Sequence, residues 1–136
     1  MNLFVYGTLI NEQVWNSVVL RKYQREVGIL YGYSRQRLKG EVYPALIKNE
    51  SGSVTGVVCK SVQPNDLVLL DAFEGAPYKR IPVSIRLENQ MFLDCDTYVA
   101  TTVLHHKILE KEWDYDEFLA NDLQAFLNGY GGWKEI

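Results

Sequence analysis

Residues 81–88 alternate without a break: Ile81, Val83, Ile85 and Leu87 share one side of an extended chain, and Pro82, Ser84, Arg86 and Glu88 share the other. Side chains of a β-strand point to opposite faces with a period of two, so this pattern defines a strand with one face in a core. A short connection at Glu88-Asn89-Gln90 leads to Met91, Leu93, Cys95 and Val99 in the same register sense, which predicts a hairpin. Such a pair exposes unpaired backbone groups along its edges and an apolar face on one side. The rest of the chain must therefore close or cover it.

The other segments supply candidates for that cover. "LFVY", residues 3–6, is a short aromatic and β-branched run that stops at Gly7-Thr8, as a buried strand entering a tight turn does. Asn11 then caps a helix whose apolar positions Val14, Trp15, Val18 and Val19 follow helical spacing. Further strands are expected at residues 28–33, 45–48 and 54–62, with "NESGS" between the last two as a hairpin loop. Near the C-terminus Tyr115, Phe118, Leu119, Leu123, Phe126, Leu127 and Tyr130 lie on one face of a single predicted helix. Asp114 with Glu117 forms its N-terminal cap, and Gly129 suits its end.

At 136 residues the chain is expected to form a single domain, 1–136. Its 47% hydrophobic and 23% charged residues are those of a folded globular protein rather than a disordered one. A formal charge of −3 speaks against sequence-independent nucleic-acid binding, and the clusters Arg21-Lys22-Arg25 and Arg35-Arg37-Lys39 read as solvated faces. No apolar run is long enough to span a bilayer and the opening "MNLFVYGTL" has no secretory pattern, so no membrane partner and a cytoplasmic location are expected. Cys59 and Cys95 lie in strand-like segments without metal-ligand spacing and read as buried free thiols, although one disulfide between them is compatible with the sequence. His105-His106 lacks the spacing of a metal site and reads as a solvated linker. There is no nucleophile elbow and no phosphate loop.

Two stretches point to chemistry. Pro64, shortly before "LLDAFEGAPYKR" at residues 69–80, suits the first turn of a helix in which Leu67, Leu70 and Glu74 share a stripe, and Gly75 marks its end. Glu74 thus falls on the core side and in the last turn, where burial and unpaired carbonyls both raise a carboxyl pKa toward the range of a general acid or base. The same spacing is compatible with a frayed last turn, in which Glu74 points to water and pairs with Lys79 or Arg80. In "YGTL", residues 6–9, the glycine permits close approach to the backbone, and successive amides of such a turn can converge on an anion. A plain turn fits those residues equally.

"FVYGTL", "GEVYPAL" at residues 40–46 and "LDAFEGAPYKR", together with "EWDYDEF" further on, resemble in order and spacing the gamma-glutamylcyclotransferase-like family, including its plant avirulence-induced branch. The resemblance covers essentially the whole chain. It implies an α+β fold, a small β-barrel of mixed strand direction with helices packed outside and a cavity at its mouth. It also implies a small-molecule γ-glutamyl substrate, bound by Tyr6, Gly7, Thr8 and Leu9, with Glu74 as proton acceptor. The implied reaction is intramolecular: the α-amine attacks its own γ-carbonyl, forming 5-oxoproline and releasing an amine without a metal or organic cofactor. Tyr78 and Arg80 match the rest of the motif, with Arg80 either orienting Glu74 or lying on the surface, and Tyr43-Pro44 is expected to line the cavity. A binding protein on the same barrel, or an enzyme removing a γ-glutamyl-type group from a larger carrier, fits the same residues. The amine half of the substrate and the oligomeric state are not written in the sequence.

Overall fold

The computed structural model describes residues 1–129. Six strands are formed: β1 (Leu3–Val5), β2 (Arg25–Leu38), β3 (Pro44–Cys59), β4 (Tyr78–Leu87), β5 (Phe92–Ala100) and β6 (Ile108–Glu112). The helices are α1 (Glu12–Val18), α2 (Pro64–Glu74), α3 (Tyr115–Asn121) and α4 (Leu123–Gly129), with short 3-10 turns at Thr8–Ile10 and Thr102–Lys107.

The strands run in the order β3-β1-β5-β4-β2, and β2 pairs back onto β3, so the sheet closes on itself. The β1–β5 pair is parallel and the other pairs of the ring are antiparallel, giving the mixed barrel that the family resemblance implied. Closure removes the open edges of the β4–β5 hairpin, which pairs from Tyr78↔Ala100 to Arg86↔Phe92 as the alternation predicts. β2 makes the closure possible by its length: its first half pairs with β4 at Gly28↔Leu87, and its second half holds β6 outside the ring at Leu38↔Ile108.

The expected hairpin loop at "NESGS" is instead part of one long strand, β3. Both of its arms pair with β2, and residues 49–52 bulge between the registers Tyr31↔Ser53 and Tyr33↔Lys48. Polar, turn-forming residues marked an irregularity correctly, but a shared partner strand keeps the chain direction.

β1 is buried on both faces, which is why "LFVY" is apolar throughout. Phe4 packs inside the barrel with Leu30, Val58, Ile85 and Cys95. Leu3 and Val5 face outward into a second core with Val14, Trp15, Leu70, Phe118 and Phe126 from the helices. Asn11 caps α1, its Oδ1 accepting from the Val14 N–H at 3.1 Å, and Asp114 caps α3 in the same way from Glu117 N–H at 3.0 Å. The Glu117 carboxylate pairs with Arg37 at 3.0 Å.

The predicted C-terminal helix is divided. Asp122, at φ −124° and ψ −18°, separates α3 from α4. The two pieces bring Phe118 and Phe126 edge to face, with ring centroids 5.6 Å apart over the barrel. Tyr130 and the rest of the terminal "GYGGW" lie outside the described residues. Among the described residues no helix is long and apolar enough to cross a membrane.

Candidate active site

Three elements meet around one cavity: the turn that follows β1, the C-terminal end of α2, and the second half of β5. α2 begins with Pro64 in its first turn, and Leu67 and Leu70 are buried on its inner stripe. Gly75 stops the helix at φ +71°, a left-handed value that suits glycine, and donates its N–H to the Asp71 carbonyl at 2.9 Å. Glu74 is therefore the last helical residue and extends the buried stripe. It lines a cavity with Tyr6, Gly7, Thr8, Phe73 and Tyr98. Burial first, and the charge of Asp71 second, push its carboxyl up to about 8. Of the two orientations compatible with the sequence, Glu74 takes the inward one.

The glycine turn faces this carboxyl. Gly7 sits at φ −122°, so no left-handed φ demands glycine there. Space does: a Cβ on Gly7 would lie 2.9 Å from Cγ of Pro44. The Gly7 and Thr8 N–H groups donate to no backbone carbonyl among the described residues, while Ile10 and Asn11 close the turn onto Gly7 O and Thr8 O, both at 3.1 Å.

Two phenols complete the wall. Tyr6 donates its hydroxyl to the Tyr98 carbonyl at 2.6 Å, and Tyr98 donates its own to Asp71 Oδ1 at 2.6 Å. Burial holds both pKa values above the usual tyrosine range, and the Glu74 charge acts in the same direction, so both phenols are neutral donors near pH 7.

Tyr6, Gly7, Thr8, Leu9, Tyr43, Glu74 and Tyr78 thus come together around one cavity. Tyr78 also ties the rim, donating its hydroxyl to the Pro44 carbonyl at 2.6 Å, and the Tyr43-Pro44 bond is trans. Arg80 is not among the lining residues. Its guanidinium clamps Asp71 at 3.0 Å and Asp96 at 2.5 Å, so it reaches Glu74 only through Asp71, whose charge it offsets.

Sequence reasoning passed over Asp71 and Tyr98. The first was signalled by its spacing, three residues before Glu74 on the same helix side. For the second, strand alternation marks a face and says nothing about which cavity that face meets. Among the described residues no group of three or more His, Cys, Asp or Glu is placed to hold a metal ion.

Residues 3–115 match the profile of the family described as gamma-glutamyl cyclotransferase, AIG2-like. The chain belongs to that family. Among its relatives in Arabidopsis thaliana, AIG2-like protein C is 34% identical over 127 residues, covering 93% of this chain and 73% of the relative. Protein AIG2 C is 30% identical over 130 residues, 95% of this chain and 78% of the relative. The solution structure of an Arabidopsis thaliana protein, 32% identical, superposes with a TM-score of 0.70 over 93% of this chain and 85% of that one. A structure titled gamma-glutamyl cyclotransferase shares the fold at 15% identity, with a TM-score of 0.61 over 74% of this chain and 66% of that one.

Proposed function

We propose that this chain is a γ-glutamyl cyclotransferase that converts a γ-glutamyl compound to 5-oxoproline and a free amine. The observation that carries the reading is Glu74: a carboxyl in a cavity, pushed up to about 8, opposite a turn whose Gly7 and Thr8 amides have no backbone acceptor among the described residues. A group of that proton affinity exchanges protons readily with an α-ammonium, which is what the reaction requires.

Glu74 as carboxylate takes one proton from the bound α-ammonium. The freed amine attacks the γ-carbonyl carbon, forming the ring C–N bond as the carbonyl π pair moves onto oxygen. Amides of the YGTL turn hold that oxyanion, a contribution of about 3 to 4 kcal/mol per well-placed donor. Glu74 then returns a proton to the departing nitrogen as the old C–N bond breaks, and the ring nitrogen passes its excess proton through the Glu74 carboxylate to the released amine, which leaves as an ammonium. Charge is conserved, since one ammonium is consumed and another released. The described residues lining the cavity include no Lys, Arg or His, so neutral N–H and O–H donors would meet anionic groups of the substrate.

The test is incubation with a panel of γ-glutamyl amino acids, γ-glutamyl amines and γ-glutamyl-lysine isopeptides, with 5-oxoproline followed by mass spectrometry. Turnover of at least one is expected. Turnover of none, with ligands still bound, replaces the reading with a binding protein on the same barrel.

A further inference from the structure

Arg35 lies in the C-terminal half of β2, opposite Leu46 of β3, and is not among the residues lining the Glu74 cavity. It lines a separate opening with Glu112, Trp113 and Asp114. One of its nitrogens, Nη1, nevertheless reaches through to donate to the Tyr6 carbonyl at 2.7 Å. The side chain is firmly set: its guanidinium carbon stands 5.3 Å from the Trp113 ring centroid. Trp113 is fixed in turn, donating its backbone N–H to the Arg35 carbonyl at 3.1 Å and its indole N–H to the Val42 carbonyl at 2.8 Å.

This placement has a cost. Burial works against the guanidinium charge, and Arg35 Nε is buried with no hydrogen-bond partner among the described residues. The charges of Glu112 and Asp114 and the Trp113 ring offset part of that cost, and the hydrogen bond the guanidinium makes from this position goes to the Tyr6 carbonyl.

The planarity of the peptide unit carries that bond's effect to the next amide. In a trans peptide the C=O and the following N–H point in opposite directions, and the Tyr6–Gly7 bond is trans. Holding the Tyr6 carbonyl toward Arg35 therefore aims the Gly7 N–H away from Arg35, and Gly7 is itself a lining residue of the cavity that holds Glu74. We infer that Arg35 is a positioning residue that locks the Tyr6–Gly7 peptide with its N–H facing the cavity, so that Gly7 serves as a preformed donor to an oxyanion. The role rests on the proposed cyclotransferase reading for its chemical use, and on the peptide geometry alone for its structural part. Without the guanidinium the plane is free to rotate and present the carbonyl, a repulsive group, to the same oxyanion.

Two measurements on Arg35→Gln and Arg35→Lys test this, with each variant's fold checked by its thermal melt. The first is NMR of the free protein, following the Tyr6 carbonyl carbon and the Gly7 amide. Both resonances should move or broaden in Arg35→Gln and stay near the wild-type positions in Arg35→Lys, whose ammonium still donates to the carbonyl. The second is 5-oxoproline formation, where kcat should fall about 10²-fold in Arg35→Gln with a much smaller change in KM. Arg35→Lys should recover most of that loss. Unchanged Tyr6 and Gly7 resonances in a folded Arg35→Gln protein overturn the inference, as does a wild-type kcat. If the wild-type protein turns over no γ-glutamyl compound, the cyclotransferase reading fails while the resonances still decide whether Arg35 sets the peptide.

Discussion

On the proposed reading, Glu74 carries opposing demands of activity and stability. Its carboxyl rises from 4.5 to about 8 on folding, so the native state binds a proton more tightly than the unfolded chain. The resulting stabilisation is complete below pH 4.5 and is lost as pH climbs through 8. Glu74→Gln removes that loss, and the variant is expected to gain up to about 3 kcal/mol over wild type at pH 7, less where solvent reaches the side chain. Below pH 4 the two proteins should converge. 5-Oxoproline formation should fall at least 10²-fold in the same variant. Denaturant titrations across pH, beside the activity assay, read both effects. In the wild type kcat/KM should rise toward pH 8 as Glu74 ionises. Asp71→Asn removes the negative neighbour that supports the raised value, so the midpoint of that rise should move to lower pH while staying above an ordinary glutamate, because burial remains the larger cause. An unmoved midpoint would show that the Asp71 charge is fully offset by Arg80. At this scale the sequence was informative about identity and spacing: Glu74 and YGTL were legible. The partner of Arg80 was not, since choosing Asp71 and Asp96 over Glu74 depends on β4 lying beside both α2 and β5.

The YGTL turn shows what an element owes to its surroundings. Read locally, its glycine is a conformational device; in the folded chain its φ of −122° is open to any residue, and the limit is the Pro44 ring 2.9 Å from where a Cβ would stand. Gly7→Ala is therefore expected to destabilise the protein as well as slow it, by about 1 to 3 kcal/mol, since a proline ring on a barrel strand yields little. A thermal melt beside the turnover assay checks this, and an alanine variant as stable as wild type would show that Pro44 shifts freely. Caps were legible because they are local: Asn11 and Asp114 each reach an amide three residues on. The break at Asp122 was not, because apolar spacing continues across it. The division goes with tertiary packing, in which Phe118 and Phe126 meet edge to face.

For the whole molecule, closure of the barrel determines how its buried groups behave. Cys59 and Cys95 are free and buried on neighbouring parts of the sheet, and burial pushes their thiols up to about 11 and about 12. Native protein at pH 7.5 should alkylate at both only at the rate of global opening, and rapid labelling of either would contradict a closed barrel. The sequence by itself determined the strands with clear alternation, the capped helix starts, the acid in the last turn of α2 and the family to which these motifs belong. Each is set by interactions within a few residues. Only the tertiary structure decided that β3 runs through "NESGS", that β2 closes the ring, that Tyr98 and Asp71 join the site, and that Arg35 reaches Tyr6 from behind. Those depend on contacts between residues far apart in the chain, whose energies come from burial and pairing that no local pattern records.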